Sequence, residues 1–248
     1  LKSSVLDGMY LGDSPGNFGQ ISFYDAARGE CYRDFGDPIG VASRVLIQGL
    51  FGILPDALNQ QIILRPGFPD DWDKASVSTP DINYRFTRKE DTDTYHITQR
   101  FQTPLHPVLH VNARKEKIRS VKVNGVPATW QSIESAHGYP LLSIQAEGTS
   151  STTITIEWEG APLHTLAVQE PVITSNGKLA LQIPSGASIS QVYDPQSVLA
   201  NHTVEATAFN AQIKGEPGHH TFFVYTHQGE MDWWQPVNIY IENVWESP

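Results

Sequence analysis

Trp233 and Trp234 stand side by side near the end of the sequence, with Tyr225, Tyr240 and Trp245 close by in segments where polar and apolar residues alternate. Flat rings of this kind fill cores, and they also stack on the C–H faces of sugars. Neighbours on a strand point to opposite faces, so one tryptophan belongs to a core and the other to an exposed face or a domain contact. Trp234 is the candidate sugar contact. The histidines invite a metal reading that their spacing does not support. His219 and His220 are adjacent and face opposite sides of a strand, so they cannot reach one ion. His106 and His110 alternate more usefully, with His96 on a possible neighbouring strand, but no Asp, Glu or Cys stands at a recognisable ligand spacing. Asp70, Asp71 and Asp73 are too close to Pro69 and lack the periodicity of a calcium loop. There is no glycine-rich phosphate loop, G-x-S-x-G elbow or HExxH. The expectation is structural histidines, no metal and no cofactor.

Composition narrows the partners. Of 248 residues, 40% are apolar and 18% charged, which describes an ordinary globular chain long enough for one large or two medium domains. A net charge of −10, with 17 basic residues thinly spread, argues against a groove that tracks phosphates. The one basic cluster, Arg114, Lys115, Lys117 and Arg119, reads as a solvated strand or turn, so no nucleic-acid partner is expected. Cys31 is the single cysteine, which excludes an intrachain disulfide and a multi-cysteine zinc site. No signal peptide is recognised and no apolar run reaches the length of about 18 residues that spans a bilayer, so no membrane partner is expected.

These side chains have to be positioned by two kinds of element. After Asp37 and Pro38, an N-cap and first-turn pair, Ile39 to Phe51 are apolar on nearly every face, which predicts a helix over about 38–52 of the kind buried among other helices. The later segments read as strands and offer it no such partners, so it reads as an orphaned helix. Gly52 and Pro55 end it. From Gln61 onward the chain becomes a series of period-two runs rich in Val, Ile, Thr and aromatics, broken by Gly, Pro, Asn and Asp. Asn124-Gly125 predicts a type I′ hairpin. The expected fold is mainly β: two antiparallel β-sandwich, immunoglobulin-like domains behind a short helical segment. The expected divisions are 1–57 for the helical segment, 58–162 for the first sandwich and 163–248 for a smaller one. A single continuous sandwich is the alternative.

The helix ending in GLFGILPD, the following IILRPGFPDDWDKASV and the alternating INYRF resemble the barrel-to-sandwich junction of bacterial glycoside hydrolases with an (α/α)6 barrel, such as the α-L-rhamnosidases. The tail, through PGHHTFFV and WWQP, also resembles the C-terminal sheet domain of a large Bacteroides-type carbohydrate-degrading family, a domain of unknown function. Together these resemblances cover residues 17–248 and lack the earlier helix pairs of a barrel. They imply the C-terminal accessory or structural part of a carbohydrate-active enzyme, cut from something longer and catalytically silent alone. They further imply an oligo- or polysaccharide as partner through the parent enzyme, a missing N-terminal barrel as a second partner, and a periplasmic or extracellular location. A stand-alone carbohydrate-binding or adhesion module is the alternative, and an assembly subunit that inserts its helix into a partner is a third reading.

In such barrels the chemistry sits where inner helices begin, which here is the segment Asp13 to Asp37. Glycoside hydrolysis takes two carboxyl groups flanking the scissile bond. The resemblance therefore makes Glu30, Asp34 and Asp37 the catalytic candidates, with Asp25 beside them. Tyr24, Arg28, Tyr32 and Arg33 become sugar-binding candidates, together with Phe35. Asp37 also has the plain role of helix cap, and Arg33 with Asp34 that of a surface ion pair. One short segment does not surround a sugar, so at least one catalytic partner is expected on the missing barrel.

Overall fold

The period-two runs become eighteen strands in a computed structural model that describes residues 43–164, 166 and 170–242. The first eleven are β1 (Ile53–Asp56), β2 (Gln61–Leu64), β3 (Lys74–Ser78), β4 (Ile82–Lys89), β5 (Thr92–Gln99), β6 (His106–Asn112), β7 (Lys115–Val123), β8 (Val126–Pro127), β9 (Gln131–Ser132), β10 (Leu141–Gln145) and β11 (Ser151–Pro162). They form a five-stranded sheet in the order β1-β2-β6-β10-β9 and a six-stranded sheet in the order β3-β4-β5-β11-β7-β8. Every pairing is antiparallel except β2 with β6. Alternation directs one side of each strand inward: Tyr84 and Phe86 from β4, Tyr95 and Ile97 from β5, and Ile154, Ile156 and Trp158 from β11 meet Ile62, Leu64, Leu109, Leu142 and Ile144 of the other sheet. Asn124 and Gly125 join β7 to β8 with φ of 52° and 81°, the pair of positive angles that a type I′ turn needs.

The remaining strands are β12 (Val172–Thr174), β13 (Lys178–Gln182), β14 (Ala187–Tyr193), β15 (Leu199–Val204), β16 (Ala208–Ile213), β17 (Gly218–Gln228) and β18 (Met231–Glu242). Their sheets run β12-β18-β17-β14 and β13-β16-β15. Renamed A to G in chain order, these seven strands place B, E and D in one sheet and C, F and G in the other, with A beside G in parallel. The B-E-D and C-F-G division is that of an immunoglobulin-like sandwich. Phe209 and Ile213 face Phe222, Val224, Val237, Ile239 and Ile241 across its core.

The two sandwiches share one hairpin. Met231, Trp233, Gln235, Val237, Ile239 and Ile241 all lie on the buried side of β18, but Val237 to Ile241 belong to the second core whereas Met231 and Trp233 are packed in the first. Where the cores meet, the buried side chains turn polar: Thr226, Gln228 and Gln235. Gln228 accepts from the His164 amide at 3.1 Å and donates to the Pro162 carbonyl at 3.1 Å. The Glu230 amide donates to the Glu116 carbonyl at 2.7 Å.

The expected apolar helix departs from regular α geometry. Its described part, from Ser43, widens into a π-helix over Val45–Leu50, closed by the Phe51 amide on the Leu46 carbonyl at 3.1 Å. None of these residues is buried: Ile47 and Leu50 lean on the first core, while Val45 and Leu46 are 43% and 40% exposed. No other helix among the described residues packs against them, so Val45 and Leu46 have no apolar cover among those residues. Gly52 ends the helix at φ 65°, and its hydrogen lies where a Cβ would run into the Arg65 backbone. The chain then turns at once into β1, so Ile53–Asp56, expected within the helical segment, is the edge strand of the first sheet.

Candidate functional site

Glu30, Asp34, Asp37, Asp25, Tyr24, Arg28, Tyr32, Arg33 and Phe35 lie outside the described residues, as does Trp245. Trp234 lies within them, and the pair expectation is met: Trp233 is fully buried while Trp234 is half-buried on the opposite face of β18. That face looks outward from the second sandwich. Cross-strand register builds rows upon it, with Tyr193 opposite Phe223 and Phe223 opposite Pro236, and beside them Gln191 opposite Tyr225 and Tyr225 opposite Trp234. Such pairs are within side-chain reach on one face.

The rings pack on one another. Tyr225 and Trp234 have centroids 5.0 Å apart, Tyr193 and Phe223 6.2 Å, and Tyr193 meets Trp234 edge-on at 6.4 Å. Tyr193 remains 57% exposed. Partial burial pushes the Tyr225 phenol up, with Asp232 and Glu134 adding to the shift, so it stays a neutral hydrogen-bond donor at ordinary pH. Polar groups rim the rings: His227 with Asp232 at 2.7 Å, and Thr221 with Asn238 at 2.8 Å. The backbone beneath is fixed from the side as well. Trp234 donates to the Ala136 carbonyl and accepts from the Gly138 amide, at 2.9 and 2.8 Å, so a loop of the first sandwich extends the sheet edge beyond the short β12. Tyr193 and Phe223 were not among the candidates. Phe223 shares the phase of Tyr225 in FFVYTH and was readable from alternation, whereas Tyr193 joins only through the pairing of β14 with β17. Tyr240, two rows further along, stands beside His219 instead.

The histidines do not come together. His106 and His110 are on β6 and His96 on β5, in opposite sheets. His96 pairs with Thr153 at 2.9 Å, His106 accepts from the Gly148 amide at 3.0 Å, and His219 bonds to Glu170 at 2.8 Å. Among the described residues no three His, Cys, Asp or Glu side chains could hold a metal ion. The basic cluster is largely spent on carboxylates: Arg114 on Asp93, Lys115 on Asp91 and Arg119 on Glu159.

No family model and no curated protein matches the chain. Among solved structures it is similar to the tandem Ig repeats of Dlar, at 10% identity and a TM-score of 0.21, over 61% of this chain and 90% of that one. It is also similar to the N-terminal periplasmic domain of ScsB from Proteus mirabilis, at 8% identity and a TM-score of 0.21, over 68% of this chain and 99% of that one. The fold rests on the strand order and cores given above. The described residues form two mainly antiparallel sandwiches, the second of which presents an aromatic face, and no helix among them is long and apolar enough to cross a membrane.

Proposed function

We propose that this chain is a non-catalytic accessory portion of a carbohydrate-active enzyme, and that the outer face of the second sandwich holds a glycan chain against Trp234, Tyr225, Tyr193 and Phe223. The observation that carries this reading is the cross-strand aromatic cluster itself. Four rings on a hydrogen-bonded sheet give apolar surfaces for sugar C–H faces, and the polar rim of His227, Asp232, Thr221 and Asn238 supplies partners for hydroxyl groups. Ordering such rings in advance lowers the entropy lost on binding. The parent enzyme in this reading is of the (α/α)6 glycoside hydrolase type, working in the periplasm or outside the cell. Any chemistry at Glu30, Asp34 or Asp37 would depend on the rest of that barrel.

Affinity gel electrophoresis against a panel of soluble polysaccharides tests the assignment. Retardation is expected on at least one, lost in Trp234→Ala and weakened about fivefold or more in Tyr193→Ala, since one stacked ring is worth about 1 kcal/mol or more. Equal mobility with and without every polysaccharide, or retardation untouched by both variants, would leave the chain a purely structural appendage.

A further inference from the structure

At one end of the first sandwich, between its two sheets, lies a cleft of about 390 Å³. Its walls combine aromatic rings with charge. Phe68, Phe86, Tyr95 and Tyr139 supply the rings, and Arg88, Asp93, Arg114 and Asn112 the polar groups. Alternation along β5 turns Asp93 inward, on the same side as Tyr95 and Ile97, and leaves it 1% exposed. A buried carboxylate needs partners, and Asp93 has three. One oxygen accepts from Arg88 Nε at 3.0 Å and Arg114 Nη1 at 2.9 Å, and the other from the Trp158 indole at 3.1 Å.

Two guanidinium groups thus face a single buried carboxylate, which leaves one positive charge in excess around Asp93; the exposed carboxylate of Asp70 also lines the cleft. Both arginines are also held from behind, Arg88 by the Asp70 carbonyl at 2.7 Å and Arg114 by the Glu90 carbonyl at 3.2 Å. Arg88 lies over the Phe86 ring, 5.3 Å from its centroid. Each guanidinium carries five N–H donors, so two bonds apiece do not exhaust them. Their positions are fixed before any ligand arrives, and their side chains are still 19% and 26% exposed. Rigid, partly desolvated guanidinium donors beside aromatic rings suit a planar carboxylate attached to a compact ring. The volume suits one sugar-sized unit.

We infer that this end cleft is a second binding site, which takes a carboxylate-bearing sugar, a hexuronate, with its carboxylate on Arg88 and Arg114 and its ring against Tyr139 and Phe68. The choice of a sugar acid rests on the carbohydrate reading above, whereas the anionic requirement rests on the cleft alone.

Backbone amide NMR of the full chain tests it, with sodium D-glucuronate, methyl glucoside and sodium acetate as probes. Glucuronate is expected to shift the amides of Tyr95 and of Asn112 to Arg114 saturably, and methyl glucoside to bind at least about tenfold more weakly, as loss of a charge-assisted bond implies. Acetate, which has no ring, should be weaker than glucuronate as well. Arg114→Lys keeps the charge but not the fork, and should weaken glucuronate about tenfold. Tyr139→Ala, at an exposed residue that leaves the Asp93 network whole, should weaken it about fivefold. Equal binding of glucuronate and methyl glucoside, shifts confined to other residues, or indifference to Tyr139→Ala would overturn the proposal. Acetate binding as tightly as glucuronate would reduce the cleft to a simple anion site and overturn the sugar assignment. Trp234→Ala should not alter this titration, so failure of the cleft and failure of the aromatic face are read separately.

Discussion

Trp233→Ala should weaken the sandwich to which Trp233 does not belong in sequence. The indole lies in the first core with no exposed surface, although its strand is part of the second sandwich. A buried tryptophan removes about 150–250 Å² from water, and at about 25 cal/mol per Å² its loss is worth about 4–6 kcal/mol. Truncations of this kind usually measure about 3–5 kcal/mol after partial collapse of the cavity. The indole N–H bonds to Gln235 Oε1 at 3.3 Å, and leaving that buried acceptor unpaired adds about 1 kcal/mol. An expected total of about 4–6 kcal/mol is a large part of the stability of a domain. Native-state hydrogen exchange read by mass spectrometry resolves where it falls. Peptides over β10 and β11 should lose nearly all of it, whereas β13 and β16, packed around Phe209 on the far side of the second core, should lose less than about 1 kcal/mol. Unchanged protection of β10 and β11 would refute the placement of Trp233 in the first core. Equal loss in both regions would refute the division into two cores.

Two further outcomes follow from the same joint and from one histidine. Gly229 turns the β17-β18 hairpin at φ 63°, and a Cβ there would stand 2.7 Å from Glu116 Cβ and nearer still to its carbonyl oxygen. Gly229→Ala should cost about 1–3 kcal/mol in backbone strain and loosen the hairpin from the first sandwich, seen as faster proteolysis between 160 and 171; an unchanged cleavage rate would count against it. Burial, and secondarily Arg65, hold His110 below the usual imidazole range. The unfolded chain therefore binds the proton more readily, and stability should fall as pH drops through about 6.5 and level off below the folded value. His110→Gln should flatten that part of the urea-midpoint profile between pH 8 and 5, and a wild-type slope retained by the variant would assign it to other groups.

The strands were legible because half-burial writes itself as alternation: TDTYHITQ and STTITIEW carry their inward residues at every second place. The joint was not legible, for a physical reason. Met231 and Trp233 alternate in phase with Val237 and Ile239, and a period-two pattern says which face is buried but not against which domain. The cleft left one signal, an aspartate on the inward phase of β5 at position 93. Its partners, at 88, 114 and 158, are brought to it only by the pairing of β4 with β5 and of β11 with β5 and β7. The helix was legible as apolar and unpartnered, but not as a π-helix. A segment apolar on all sides predicts burial, but burial requires a partner, and Val45 and Leu46 have none among the described residues. The proposed carboxylates Glu30, Asp34 and Asp37 fall on residues outside that description.

The aromatic face and the end cleft are tied by four residues of one loop. Ala136 is buried in the first core, Ala136 and Gly138 bond to the Trp234 backbone, His137 meets Phe223 edge-on at 5.8 Å, and Tyr139 lines the cleft. Because the Trp234 bonds belong to the backbone, replacing the indole removes the stacking surface but leaves the loop in register. The loop instead loses its anchor when Trp233 leaves the core beside it. Trp233→Ala should therefore weaken both proposed ligands together, whereas Trp234→Ala weakens only the polysaccharide and Tyr139→Ala only the sugar acid. That three-way pattern distinguishes two sites on one frame from two independent surfaces, since independent surfaces give Trp233→Ala no route to the cleft.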